Sequence, residues 1–176
     1  MGAGNTTYSG PYGVEFNNKW YTGTGAGSPL LFVVGTGGGT TPTLYSVGFG
    51  GGGVMNGTTA NSAPLASAAG ADASPPTEFF NPNIAGGTDF LFVSVTNHCI
   101  ATAGGTAGCV MSLNLPTTAG SGFPTVGTGA TALAASGGTT EIVIDNDNTA
   151  MTQASSIYYG TKTGSTLVKA TQNGLL

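Results

Sequence analysis

Positive charge is nearly missing from this chain. Of 176 residues only Lys19, Lys162 and Lys169 are basic, none is arginine, and the formal net charge is -4. Such a chain cannot neutralise a run of phosphates, so nucleic acid is excluded as an expected partner and anionic membrane surfaces are disfavoured. Long apolar runs are lacking as well. The longest, Pro29 to Val34, falls far short of the ~20 residues that span a bilayer, and no membrane insertion is expected. The opening "MGAGNTTYSG" has no apolar signal core, so any export signal is expected to have been removed or to lie outside this sequence. It does fit the loose M-G-x-x-x-[ST] pattern of N-myristoylation.

What the chain has in excess is glycine, 32 residues, with 39% hydrophobic and only 6% charged residues. Low charge with this apolar content is the opposite of a disordered composition, and a chain of this length can bury one core. Three glutamates organise it: Glu15 in "VEFNN", Glu78 in "TEFFNPN" and Glu141 in "TEIVIDND" fall at a constant interval of 63 residues. After each comes an apolar run, "SPLLFVVGT", "TDFLFVSVT" and "SSIYYGT", and then a second, "TPTLYSVGF", "GCVMSLNL" and "STLVKATQ". Runs of four to eight β-branched or aromatic residues bounded by Gly, Pro, Thr and Asn are strand signals, and nothing here has a helical period. Weaker runs, "APLASA" (63–68) and "TALAAS" (131–136), precede the second and third glutamates. The expected fold class is therefore all-β, built of antiparallel four-stranded repeat units of the propeller-blade type. The Gly/Ala/Thr-rich stretch after Phe49 is expected to be a long surface loop.

The segments "SPPTEFFN", "TDFLFVSVTN", "GCVMSLNL", "GTTEIVIDND" and "ASSIYYGT" resemble secreted bacterial β-propeller repeat proteins of the YVTN-like kind. The resemblance covers roughly Ser74 to Leu176 well and Tyr8 to Phe49 more loosely. It implies a propeller fold and an exported location, secreted or at the cell surface, and names no catalytic residue. The expected division is a leading strand (12–27), a blade (28–83), a second blade (88–147) and a terminal hairpin (155–176), about two and a half to three blades. Known propeller rings use typically four to eight. The chain is expected to find its missing neighbours in further copies of itself, as a ring or filament, or in further blades of a longer protein.

Chemistry-bearing residues are few. Cys99 and Cys109 flank the tip of the second hairpin, where paired positions come within bridging reach, and a disulfide is expected. Adding His98 would make a three-ligand zinc site, but the spacing matches no usual pattern. "DNDNT" places Asp145 and Asp147 as the first carboxylates of a calcium loop. Ala150 and Ser156 then stand where such a loop wants Gly and Glu, so Ca²⁺ is a weak candidate and a turn the plainer one. Gly48, Gly50 and Gly53 form G-x-G-x-x-G after a strand, without the helix that a pyrophosphate site needs. No Ser-His or Cys-His nucleophile is supported, and a glycosidase pair from Glu78 and Glu141 is disfavoured because repeat-equivalent residues are expected to play one structural role. Trp20, Tyr21, Tyr158 and Tyr159 are candidate sugar-stacking rings. Asn5 and Asn56 lie in glycosylation sequons. The sequence thus points to a non-enzymatic extracellular scaffold or interaction module that needs no cofactor, with a glycan-binding module as the alternative.

Overall fold

The computed structural model describes residues 12–22, 28–36, 40–82, 87–101, 106–116, 122–128, 130–145 and 155–172. The described chain is all-β apart from a five-residue helix and a 3-10 turn. In order come β1 (Gly13–Phe16), α1 (Asn18–Thr22), β2 (Leu30–Thr36), β3 (Pro42–Phe49), a 3-10 turn at Gly51–Gly53, β4 (Met55–Pro64), β5 (Thr77–Asn81), β6 (Thr88–Asn97), β7 (Ala107–Leu115), β8 (Thr131–Ala134), β9 (Val143–Asp145), β10 (Ser156–Gly160) and β11 (Leu167–Thr171). They form three antiparallel sheets, β1-β2-β3-β4, β5-β6-β7-β8 and β9-β10-β11.

Glu15 and Glu78 lie in the first strands of their sheets, β1 and β5, and Glu141 lies just before β9, the first strand of the third; each of these strands is hydrogen-bonded to the strand that follows it. The sheets therefore divide the chain as 13–64, 77–134 and 143–171, one strand earlier than units ending at residues 83 and 147. Proline explains the first boundary. Pro75 and Pro76 lack the N–H that would carry a ladder onward from the β4 side, so the chain crosses to the next sheet there. Before them, Asp72 to Ser74 already pair with the far end of β6, through Thr96 N–H to Asp72 O (2.9 Å) and Ser74 N–H to Ser94 O (2.9 Å). The helix α1 is a single turn, in keeping with a chain of nearly no helix. One expectation is corrected. The stretch expected as a loop after Phe49 holds β4, a ten-residue edge strand, exposed along most of its length and offset by register shifts against β3.

How the sheets stack follows from which way each residue's backbone bonds point. In a strand of L-residues, successive residues bond to opposite neighbours and put their side chains on opposite faces, so bonding direction identifies the face. In β2, Leu30 O accepts from Asn17 N–H (3.1 Å), so Leu30, Phe32 and Val34 bond toward the first strand. In β6, Ser94 does the same, together with Phe90 and Phe92. In β10, Gly160 O accepts from Thr140 N–H (2.8 Å), which places Tyr158 and Gly160 in that class. We call the face these residues occupy the leading face and its opposite the trailing face.

One core cluster joins Leu30, Phe32, Val34 and Leu44 of the first sheet to Leu91, Val93, Val95, Met111 and Leu113 of the second. A second joins Phe90, Phe92 and Val110 to Ile142, Ile157 and Tyr159 of the third. Both junctions therefore set a leading face on the trailing face of the next sheet. The stack is polar, and the middle sheet is buried on both sides. Burial of its large side chains, Leu91, Phe92, Val93, Val95, Met111 and Leu113, all nearly inaccessible, stabilises the fold by about 1.5–3 kcal/mol apiece.

Two glycines permit the close packing. A Cβ on Gly108 of β7 would stand 2.4 Å from Thr96 O, 2.5 Å from Val95 O and 2.6 Å from Ala135 O, all rigid backbone. A Cβ on Gly13 of β1 would meet the Pro75 ring at 2.7 Å, so the first strand could not lie against the inter-sheet crossing. The expected disulfide is present: Cys99 and Cys109 are bridged, with Cα atoms 5.7 Å apart, across the end of the β6–β7 hairpin. No described helix is long and apolar enough to cross a membrane.

Candidate functional site

The densest chemistry lies where β1, α1 and β5 meet. Asn17 directly follows β1 and is almost fully buried. Its amide donates to Ser28 O (3.1 Å) and its carbonyl accepts Leu30 N–H (3.0 Å), closing the connection from β1 to β2. The chain then turns once as α1, and Asn18 N–H donates to Asp89 Oδ2 of β6 at 3.1 Å. A carboxylate from the second sheet thus caps a helix turn belonging to the first. Negative charge is favourable at that end of a helical turn, where free N–H groups gather.

Asp89 is 6% exposed, and its neighbour is a second carboxyl, Glu78. Glu78 pairs with Leu91 across the β5–β6 ladder, and Asp89, two residues along β6, shares that trailing face. Apart from each other, Glu78 Oε1 and Asp89 Oδ1 receive no donor from the described chain. Two acceptors can satisfy one another only through a proton. Burial, the hydrogen bond to Asp89 and the negative charges of Asp89 and Glu15 push the Glu78 carboxyl up to about 9, against the opposing pull of Asn18 N–H. Asp89 is also raised by burial, while its bonds from Glu78 and Asn18 hold it down. The pair therefore shares one proton at neutral pH.

Beside this pair, Glu15 Oε1 accepts the N–H of Phe16 (3.0 Å) and the hydroxyl of Tyr21 at a long 3.5 Å. Desolvation first, then Glu15 and Glu78, raise the Tyr21 phenol. Phe16 stacks on Trp20 with centroids 4.6 Å apart, Phe49 lies 4.4 Å from Trp20, and Tyr21 meets Phe16 edge-on at 6.1 Å. The result is an aromatic corner with Tyr21 63% exposed and a proton-sharing carboxyl pair beneath it. It can hold a proton and offer ring faces to a ligand. Among the described residues no group of three or more His, Cys, Asp and Glu side chains is disposed to hold a metal ion.

Of the residues singled out in the sequence, Trp20 and Tyr21 come together here. Tyr158 lies on the leading face of the third sheet, its hydroxyl 3.3 Å from Asp145 Oδ2 and Lys169 Nζ 5.6 Å from its ring. Tyr159, one residue on and so on the opposite face, is buried in the second core, which removes it as a stacking ring. Asp145 closes β9, whereas Asp147 and Asn5 lie outside the described residues. Glu141 is exposed just before β9, and its parity puts it on the leading face of the third sheet, while Glu78 sits at the junction of the first two. They do not form a pair. His98 turns the chain with φ 53° and offers its carbonyl to Ser67, and both cysteines beside it are consumed by the bridge. Gly50 and Gly53 close a 3-10 turn between strands, and Asn56 lies exposed in β4. Asp89, Asn17, Asn18, Phe16 and Phe49 were missed. Asp89 had a signal, as the single charge inside the apolar run "TDFLFVSV". No family model, curated protein or solved structure matches the chain.

Proposed function

We propose that the protein is a non-enzymatic structural or interaction scaffold that works outside the cell and assembles with further sheets of its own kind. The observation that supports this is a set of large apolar side chains left exposed on the edge strands of all three sheets: Val14 at 54%, Met55 at 52%, Leu133 at 40%, Val143 at 60% and Leu167 at 77% exposure. Exposed apolar groups of this kind mark surfaces that neighbours cover. A bridge such as Cys99–Cys109 persists in an oxidising compartment, in keeping with export. The stacking of leading on trailing faces is also what successive propeller blades require, since a rotation repeated about one axis always presents the same face forward. Light scattering on the intact chain tests the proposal: defined oligomers or filaments are expected, and a monomer persisting at high concentration would refute it.

A second function is favoured by the aromatic corner. Exposed rings at Trp20 and Tyr21 beside Glu15 combine apolar ring faces with a hydrogen-bond acceptor, which suits a sugar. Saturable binding on a glycan array that is lost on Trp20→Ala would support the glycan-binding module. A silent array would leave the scaffold alone.

A further inference from the structure

We infer that Asn56 is a site of spontaneous covalent modification, where the carboxamide is lost as ammonia and the residue becomes aspartate or isoaspartate. Asn56 and Gly57 stand in the part of β4 where the ladder to β3 slips. Phe49 pairs with Met55 and Val47 with Thr59, so Asn56, Gly57 and Thr58 together face the single residue Gly48 and hold no register partner. Such a bulge leaves its extra residues unpaired. All three are exposed, and β4 is the edge of its sheet.

A Cβ on Gly48 would stand 3.0 Å from Asn56 Nδ2 and one on Gly50 3.7 Å from its Oδ1, so the carboxamide lies beside two bare glycines. Among the described residues no side-chain hydrogen bond ties it down. The residue that follows is a glycine in open space, since a Cβ on Gly57 would meet nothing within 4 Å, and its amide nitrogen is shielded by no side chain. An intramolecular attack by so near a group needs only local motion, and exposed edge segments open at little free-energy cost. The Gly57 main-chain nitrogen, giving its proton to solvent base, bonds to Cγ of Asn56. The Cγ–Nδ2 bond breaks, ammonia leaves and a succinimide ring closes. Water then opens the ring at either carbonyl: one opening leaves aspartate, the other runs the main chain through Cγ as isoaspartate. Both add a negative charge to a net of -4. No residue of β4 belongs to either core cluster, so the fold survives the change. A glycan on the same nitrogen, which the sequon at Asn56 offers, would block the reaction.

Ageing the unglycosylated protein in mildly alkaline buffer, beside the same chain unfolded in guanidinium chloride, tests this. A second Asn-Gly pair, Asn173–Gly174, lies outside the described residues, and cleavage at methionine separates the two, since fragment 56–111 begins at Asn56 and Asn173 falls in fragment 152–176. The first residue of fragment 56–111 should gain the mass difference between amide and acid, with isoaspartate detected by enzymatic methylation. In the native protein this should proceed within about tenfold of the unfolded rate. Gly57→Ala, whose methyl group has open space, should slow the gain at least about tenfold by hindering the attack, with circular dichroism unchanged. A native rate below that range would show that the strand holds the Gly57 nitrogen away from the carboxamide, and would overturn the inference. So would a Gly57→Ala variant that changes as fast as the parent, because the attacking nitrogen would then not be that of residue 57.

Discussion

Replacing Glu78 by glutamine should make the protein more stable at neutral and alkaline pH. The side chain sits at the first inter-sheet junction and is pushed up to about 9, first by burial and then by its bond to Asp89. In the unfolded chain the same carboxyl loses its proton near ~4.3. Between those values the folded state binds more protons than the unfolded state, so folding stability falls as pH rises. The contribution is fully present below ~4.3 and lost as pH climbs toward 9. Asp89, raised by burial, adds a slope of the same sign. At ~1.4 kcal/mol per pH unit the full span would come to roughly 6 kcal/mol, but Glu78 is only partly buried, and solvent screening reduces this to about 2–3 kcal/mol. Glutamine keeps the shape and donates to Asp89 without a proton to lose. Glu78→Gln should therefore match the parent near pH 4.5, exceed it by about 1–2 kcal/mol at pH 8, and show a flatter pH profile. Urea unfolding at pH 4.5, 6, 8 and 9.5, with the disulfide intact, measures this. A variant destabilised equally at every pH, or an unchanged slope, would show that Glu78 does not hold the proton.

The other predictions concern the frame. Gly108→Ala drives a Cβ into three backbone carbonyls and should cost more than about 3 kcal/mol or abolish folding, read from soluble yield and urea midpoint. Phe92→Ala empties a site in the doubly buried sheet and should cost about 3–5 kcal/mol, whereas Leu167→Ala on the outer face of a dilute sample should stay within about 0.5 kcal/mol. Mass spectrometry without reductant should find the protein two hydrogens lighter than its dithiol form, and Cys99→Ser with Cys109→Ser should lower stability by about 2–3 kcal/mol. The Lys162–Asp72 ion pair, 3.0 Å long with both side chains about a third exposed, should contribute under about 1 kcal/mol, and Lys162→Met should show that loss only at low salt.

The strong strands were legible because their chemistry is local. β2, β3, β6, β7, β10 and β11 are dense in Val, Leu, Ile and aromatic residues, and each coincides with an apolar run. Being buried on both faces, the central strands read as continuous runs instead of alternating ones. β4 was not legible. It is exposed on both faces and composed of Met, Asn, Gly, Thr, Ala, Ser and Pro, so it has no apolar pattern to betray it and is held by its ladder to β3. The disulfide could be read from the position of two cysteines on one hairpin. The carboxyl pair could not, because Glu78 and Asp89 meet only through the diagonal of a ladder whose register no propensity specifies.

The glutamates show how a true period can mislead about a site. Their interval of 63 residues is odd, while β2 and β6, compared at Phe32 and Phe92, are offset by an even 60. In a strand, side chains alternate faces, so an odd difference of three between the two offsets moves the glutamate to the other face of its sheet. Glu15 pairs with Phe32 on the leading face of the first sheet, and Glu78 pairs with Leu91 on the trailing face of the second. Those faces meet. Two residues that looked like copies of one structural role are instead the two sides of a single junction, close enough for Glu15 to help raise the Glu78 carboxyl. The third, Glu141, falls on the leading face of the last sheet, the same kind of face that Glu15 occupies.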